Sequence, residues 1–194
     1  MPKRRIGLLG GSFNPPHEGH RHVSLEALKR LDLDEVWWLV APQNPLKPVA
    51  GMAPLSDRLQ QARTYGRHPR ICVTALEAAL GTRYTADTIA ALQRLYPRQC
   101  FVWLMGADNL IQFPRWRRWR AIFARVPVAV FARPSFCHGA LAGLAAQRFA
   151  HARLRPPARR LARHHPPAWI FLPVKLDPSS ATAIRSRRGA LSRR

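Results

Sequence analysis

The chain has few acidic residues, few cysteines and no long apolar run, and each shortage excludes a class of protein. Asp and Glu together number 10 among 194 residues, which leaves little material for a metal centre held by carboxylates. Cys72, Cys100 and Cys137 stand far apart and form neither a CxxC pair nor a zinc-ligand cluster. Cys72 and Cys100 lie in apolar runs, so we expect both to be buried. Because no apolar run approaches membrane-spanning length, we expect a soluble, cytoplasmic protein without a membrane partner.

Basic residues dominate the charge of the chain. Lys and Arg number 32, and the formal net charge is +22. A surface this basic raises the local concentration of anions, whether nucleotides or nucleic acid. A GC-rich coding sequence would also produce abundant Arg and Ala, so the charge alone does not decide between these interpretations.

Short apolar runs alternate with longer amphipathic stretches. Strands are predicted at 5–9, 36–40, 71–73, 101–105, 126–131 and 170–172. Helices are predicted at 18–31, at 56–67 with Ser56 as the N-cap, at 85–95 and at 116–123. Residues 140–165 are predicted to form a helix followed by an irregular basic segment, and the basic tail from about 186 is predicted to fray.

This alternation predicts an α/β fold in a single domain over residues 1–194. We expect a Rossmann-like, doubly wound, mostly parallel sheet of about six strands with helices on both faces, because the strands are continuous apolar runs. Ligands of such sheets bind at the carboxyl ends of the strands. That rule brings residues 10–20, 42–47 and 106–109 to one rim. The oligomeric state stays open.

A glycine-rich turn, GGSFNPPHEGH, occupies residues 10–20 after the first strand. Gly10 and Gly11 lack a Cβ, so a ligand can approach their backbone closely. The N–H groups at the start of the following helix form an anion site. His17 and His20 are three residues apart, so both point to one side of the first helical turn. Two imidazoles there can bind phosphate oxygens and stabilise transition-state charge; a metal pair is the alternative, but no third ligand follows at a suitable spacing.

The segment GSFNPPHEGH resembles the GxFxPxHxGH motif of the nucleotidyltransferase superfamily. Four further segments are similar to those of bacterial nicotinate-nucleotide adenylyltransferases: PQNPLK at 42–47, RYTADT at 83–88, WLMGADNL and FPRW within 103–116, and SATAIR at 180–185. The resemblance runs from about residue 5 to 185 and is weaker between 136 and 167. It implies transfer of the adenylyl group of ATP to nicotinate mononucleotide, with deamido-NAD and pyrophosphate as products.

The resemblance also implies an ATP site. His17, His20 and Arg185 would be catalytic through the ATP phosphates. The backbone near Gly11, Ser12 and Phe13 would lie along the nucleotide, and the remaining members of the ATP set are Gly106, Asp108, Ser180 and Thr182. Asp108 would bind a ribose hydroxyl or orient a cation, unless it is a plain N-cap. The usual Ser-Ser-Thr of the family is Ser-Ala-Thr at 180–182 here, so one hydroxyl is missing.

The implied mononucleotide site comprises Asn44, Lys47, Tyr84, Thr85 and Trp116. Lys47 would contact the phosphate, although an ordinary solvated lysine is the alternative. The N–H of Thr85, at a helix start, would bind the nicotinate carboxylate. Trp116 would stack on the pyridine ring, with Trp119 in the core. Asp87 is interpreted as a helix-dipole residue and not as a catalytic acid.

The implied reaction needs no protein nucleophile, because the mononucleotide phosphate itself attacks the α-phosphorus of ATP in line. Catalysis is then positioning and charge stabilisation. Mg²⁺ is expected on the phosphates with few protein ligands, so no protein metal site is predicted. One alternative is a related adenylyl- or cytidylyltransferase acting on nicotinamide mononucleotide or phosphopantetheine. A less favoured one is a basic RNA-binding protein that stacks bases on Trp116 and Trp119 among arginines.

Overall fold

A parallel sheet of seven strands forms the centre of the fold. We describe the protein from a computed structural model that covers residues 3–43, 51–157 and 159–174. The strands are β1 (Arg5–Gly11), β2 (Glu35–Val40), β3 (Ile71–Thr74), β4 (Cys100–Gly106), β5 (Val128–Phe131), β6 (Arg153–Leu154) and β7 (Trp169–Leu172). They pair in the order β3-β2-β1-β4-β5-β7-β6, and every pair is parallel.

The predicted α/β class is confirmed, with one strand more than expected. The additional strand, β6, has two residues, and a segment this short leaves no apolar run to detect in the sequence. The helices are α1 (Glu18–Arg30), α2 (Leu55–Tyr65), α3 (Leu76–Ala79), α4 (Thr85–Leu95), α5 (Ala107–Gln112), α6 (Trp119–Arg125), α7 (Cys137–Ala142) and α8 (Leu144–Arg148). Among the described residues, no helix is long and apolar enough to cross a membrane.

Several local predictions are wrong. Helix α2 begins at Leu55 after Pro54, so Ser56 lies inside its first turn and is not the N-cap. The helix predicted at 116–123 is a short 3-10 turn at Phe113–Arg115 followed by α6. Arg118 between them has a φ of 54°, a left-handed conformation that interrupts a helix.

The segment from 140 onward also differs from the single helix that was predicted. Two short helices, α7 and α8, meet at Gly143, and the edge strand β6 follows. Cys72 is exposed and Cys100 is half-buried, so the prediction that both are buried is wrong. Cys72 belongs to β3, an edge strand with a single neighbour, and alternate residues of a strand face opposite sides.

Two apolar cores cover the two faces of the sheet. Alternation along β4 sends Trp103 and Met105 to one core and Val102 and Leu104 to the other. Helix α4 packs into the first core, whereas α1 packs into the second. Burying each large apolar side chain contributes about 1.5–3 kcal/mol, so both helices are held firmly on the sheet.

The chain reverses direction across the sheet between β1 and β4. From β1 it passes through α1 to β2 and outward to β3, and it then crosses back so that β4 pairs with the other side of β1. The helices that follow β1 and β3 therefore lie on opposite faces. Such a reversal opens a crevice at the carboxyl ends of the two central strands, where ligands of this architecture bind.

Candidate active site

A cavity of about 500 Å³ lies at the carboxyl ends of β1 and β4. This volume lies within the usual range of small-molecule sites, about 300–1,000 Å³. Every predicted site residue that the structure describes lines it: Gly11, Ser12, Phe13, His17, His20, Tyr84, Thr85, Gly106, Asp108 and Trp116. The other predicted members fall outside the described residues: Asn44, Lys47, Ser180, Thr182 and Arg185.

His17 and His20 form a compact pair at the start of α1. His17 is the N-cap, and its backbone N–H donates to Nδ1 of His20 across 3.2 Å. His20 thus holds the helix start as a Glu or Gln at this position does in a capping box. Because Nδ1 accepts, a neutral His20 carries its proton on Nε2 and can donate from there. The ring centroids lie 3.9 Å apart, so the expectation that both rings point to one side is confirmed.

Phe13 shapes the turn that precedes the histidines. Its φ is 46°, a left-handed conformation that costs about 1 kcal/mol or more for a residue with a side chain. The ring is fully buried, stacks on Trp38 with centroids 5.0 Å apart, and lies 4.5 Å from the ring of His20. Packing of Phe13 therefore holds a strained turn in place beneath the imidazole pair.

Gly10 and Gly11 have different surroundings. A Cβ on Gly10 would lie 2.5 Å from Cη2 of Trp103, so Gly10 makes room for a core tryptophan, and it also lines the cavity. A Cβ on Gly11 would only make an ordinary contact with the Phe13 ring, at 3.5 Å. The expected close approach of a ligand to the backbone of Gly10 and Gly11 stays a prediction.

Gly106, Asp108 and Arg133 form the wall contributed by β4 and β5. Asp108 accepts a hydrogen bond from Arg133 at 3.0 Å in a half-buried ion pair. A Cβ on Gly106 would lie 2.4 Å from Oδ1 of Asp108, so this pair requires the glycine. The N-cap of α5 is Gly106, which makes the alternative of Asp108 as a plain N-cap wrong. Its Oδ1 is buried without a hydrogen-bond partner among the described residues.

The start of α4 forms another wall of the cavity. Tyr84 is the N-cap and Thr85 is the first helical residue, as predicted. The N–H groups of Asp87 and Thr88 donate to the carbonyl of Tyr84, whereas the N–H groups of the first helical positions have no acceptor within a helix. The helix start thus offers donors and a positive dipole end to an anion. Asp87 lies in this first turn, paired with Arg118 at 3.2 Å, which agrees with a helix-dipole role.

Trp116 and Trp119 have different surroundings. Trp116 lines the cavity and meets Trp103 edge-on at 6.1 Å. Trp119 packs edge-on against Phe113 and Phe149, with centroids 6.3 Å and 5.9 Å away, and is not among the described cavity residues. Both rings are half-buried, so they do not form the exposed stacking surface that the RNA-binding alternative requires.

Glu77 is a buried carboxyl group on the cavity wall that the sequence did not single out. It is 6% exposed, and Thr88 donates a hydrogen bond to its Oε1 at 3.3 Å. The hydroxyls of Thr82 and Thr88 lie 2.9 Å apart, which extends the network to the loop before α4. Desolvation raises the pKa of Glu77 to about 7, although the bond from Thr88 acts in the opposite direction.

Stability should fall as pH rises through the pKa of Glu77. The folded protein holds this proton more tightly than the unfolded chain, whose pKa is near 4.5. The resulting stabilisation is fully present below pH 4.5 and is lost by pH 7–8. Between these pH values the free energy of unfolding should fall by about 3 kcal/mol. Glu77→Gln keeps an acceptor for Thr88 and removes the titration, so its free energy of unfolding should exceed the native value at pH 8 and equal it near pH 4.5. Urea unfolding at several pH values measures this difference, and parallel profiles for the two proteins would contradict it.

The charges around the cavity favour anions. Among its described lining residues, Arg83, Arg115, Arg117 and Arg133 outnumber Glu77 and Asp108. Arg117 also stacks over the ring of Tyr84 at 4.7 Å, which ties the loop before α6 to the start of α4. Arg133 was missed although it follows β5 on the same rim, where the rule for parallel sheets would have placed it. Glu77 gives no sequence signal, because only the fold brings it to the cavity.

Comparison with known proteins identifies the family of the chain. The cytidylyltransferase-like family model matches residues 8–187. A Cereibacter sphaeroides protein named "Probable nicotinate-nucleotide adenylyltransferase" is 57% identical over 182 residues, which cover 93% of this chain and 96% of that protein. A Ruegeria pomeroyi protein of the same name is 55% identical, covering 97% and 88%.

Solved structures agree in fold. The Plasmodium falciparum nicotinic acid mononucleotide adenylyltransferase complexed with NaAD superposes with a TM-score of 0.72 at 16% identity, covering 94% of this chain and 83% of that one. A second structure of that protein, complexed with APC, gives a TM-score of 0.69 at 15% identity over the same shares of the two chains. Identities this low establish the shared architecture alone, whereas the sequence relatives establish the family. The chain belongs to the cytidylyltransferase-like family and, within it, to the nicotinate-nucleotide adenylyltransferases.

Proposed function

We propose that the protein transfers the adenylyl group of ATP to nicotinate mononucleotide, forming deamido-NAD and pyrophosphate in NAD biosynthesis. The observation that carries the proposal is the cavity between β1 and β4. On one wall stands the His17–His20 pair, suited to phosphates, and on another stand the start of α4 and the Trp116 ring, suited to a carboxylate on a flat ring. One cavity thus carries groups suited to phosphates and groups suited to the carboxylate-bearing ring of the mononucleotide.

The reaction follows from positioning. The mononucleotide phosphate is already an anion and attacks the α-phosphorus of ATP, so the new P–O bond forms as the bond to pyrophosphate breaks. His20 donates from Nε2 to the phosphates, and the α1 start adds its dipole at the same place. Arg185, Ser180 and Thr182 are further proposed phosphate contacts, and Asn44 and Lys47 further mononucleotide contacts. Holding the two reactants together removes much of the entropic barrier.

Mg²⁺ is proposed to enter with ATP. Within the described ranges, no group of three or more His, Cys, Asp or Glu side chains is placed to hold a metal ion. Mg²⁺ commonly binds through substrate phosphates and water with one or two carboxylates, and the Asp108 carboxylate on the cavity wall would orient a coordinated water. The ion would neutralise phosphate charge. We also propose that the chain forms a single domain and acts in the cytoplasm.

One substrate panel tests the function. ATP is supplied with nicotinate mononucleotide, nicotinamide mononucleotide or phosphopantetheine, and pyrophosphate release is followed. We expect the highest kcat/KM with nicotinate mononucleotide. Preference for phosphopantetheine would contradict the substrate assignment, and the absence of turnover with all three would contradict the proposed reaction.

Trp116 should report on the pyridine ring. Loss of a stacked ring costs about 0.5–1.5 kcal/mol beyond the lost contact area, so Trp116→Ala should raise KM for the mononucleotide about tenfold. KM for ATP should change little. Trp119→Ala is the matched control: it should lower the thermal stability through its contacts with Phe113 and Phe149 and leave both KM values near native. Steady-state kinetics with each substrate varied would contradict the assignment if Trp119→Ala raised KM instead.

A further inference from the structure

Arg58 is a fully buried cation behind the glycine-rich turn. It lies in α2, is 1% exposed, and donates four hydrogen bonds, all to backbone carbonyls. Among the described residues, no carboxylate forms an ion pair with it. Burying a guanidinium without a carboxylate partner is costly. Its burial therefore indicates a role other than packing.

The four carbonyls belong to three separate segments. Nη1 donates to Ser12 and Ala41, each at 2.7 Å, and Nη2 donates to Pro42 at 2.8 Å. Nε donates to Ala53 at 2.8 Å. One planar group thus joins the glycine-rich turn, the carboxyl end of β2 and the chain entering α2.

The bond to Ser12 controls a peptide group at the cavity. Ser12 directly precedes Phe13, whose φ of 46° makes the turn strained. In a trans peptide the carbonyl and the next N–H point in opposite directions. Because the Ser12 carbonyl points at Arg58, which is not among the described cavity residues, the N–H of Phe13 points to the other side of the turn. Rotation of this peptide would relieve the strain and turn that N–H away, and Arg58 opposes the rotation.

Asn14 makes a second tie between the same segments. Its Nδ2 donates to the carbonyl of Gly51 at 3.0 Å, and its Oδ1 accepts from the N–H of Ala53 at 3.3 Å. The turn is therefore attached to the residues before α2 from both sides, once through Arg58 and once through Asn14.

We propose that Arg58 is a positioning residue that fixes the orientation of the Ser12–Phe13 peptide in the nucleotide site. Asn14 supports it through its own bonds to the residues before α2. This inference rests on the proposed function. The planar guanidinium holds the peptide through the geometry of its four hydrogen bonds, and a positive charge alone would not do so. A lysine ammonium is a compact point charge and cannot reproduce a planar, four-bond arrangement.

The test compares Arg58→Lys with Arg63→Lys, an exposed arginine of the same helix. ATP affinity is measured by calorimetry without mononucleotide, and kcat and KM by pyrophosphate release. We expect Arg58→Lys to weaken ATP binding about tenfold and to lower kcat/KM for ATP about 10²-fold, since a displacement of about 1 Å at a site has such an effect. Arg63→Lys should stay within twofold of the native protein in every constant.

A purely structural role would give a different result. Arg58→Lys would then lose thermal stability while its folded fraction kept native ATP affinity, KM and kcat, and that outcome overturns the proposal. If Arg58→Lys does not fold, Asn14→Ala carries the test: a several-fold rise in the ATP dissociation constant without loss of thermal stability supports the proposal, and unchanged ATP binding and kinetics overturn it. Calorimetry with ATP stays decisive even if nicotinate mononucleotide is not the substrate.

Discussion

His20→Ala is expected to lower turnover about 10²–10³-fold, the usual effect of removing one preorganised donor from a site where charge develops. The proposed donor is Nε2, because Nδ1 already accepts from the backbone N–H of His17. The same bond caps α1, so the substitution should also cost about 1 kcal/mol of stability. Steady-state kinetics combined with thermal unfolding measures both effects on one protein.

Two further variants separate catalysis from capping. His20→Gln provides a side-chain oxygen for the N–H of His17, as in a capping box, and should recover stability without recovering turnover. His22→Ala changes a histidine two residues further along α1 that is not among the described cavity residues, and it should turn over at the native rate. Near-native turnover in a folded His20→Ala protein would show that the imidazole does not serve the reaction.

The second large effect concerns the choice between acid and amide. We expect kcat/KM for nicotinate mononucleotide to exceed that for nicotinamide mononucleotide by about a hundredfold or more. In the proposed pocket, the N–H groups at the start of α4 would satisfy the nicotinate carboxylate, and the helix dipole would favour its charge. The carboxamide of nicotinamide has an NH₂ donor where the carboxylate has a second acceptor oxygen. This NH₂ group would face the backbone N–H donors, and each buried donor left without an acceptor costs about 1–3 kcal/mol.

Thr85→Pro is the sharpest test of this pocket. Proline removes the N–H of Thr85 but is well tolerated at the first helical position. Tyr84, at φ −119° and ψ 137°, already has the extended conformation that a following proline requires. Thr85→Pro should therefore fold and lose most of the preference, whereas Thr85→Ala, which keeps the N–H, should retain it. Equal kcat/KM for the two mononucleotides in the native protein would contradict the carboxylate pocket and leave adenylyl transfer itself standing.

The features predicted well are those that local sequence determines. Helix α4 has the predicted bounds, 85–95, since an apolar period of 3.6 residues and a proline beyond the end define it. The His17–His20 pair is equally local, because a spacing of three residues brings both rings to one side of a helix start. Continuous apolar runs predicted the buried parallel strands and hence the rim that carries the cavity.

The sequence by itself determined the α/β class, the rim of the sheet and the residue types that line the cavity. Only the tertiary structure decided which tryptophan lines the cavity, which side chain excludes a Cβ at Gly10, and that Arg58 lies behind the glycine-rich turn. Each of these depends on contacts between distant parts of the chain: Gly10 with Trp103, and Arg58 with Ser12, 46 residues earlier. Local sequence patterns do not predict such contacts, because periodicity and capping act over a few residues. Sheet order and helix packing decide which distant side chains meet.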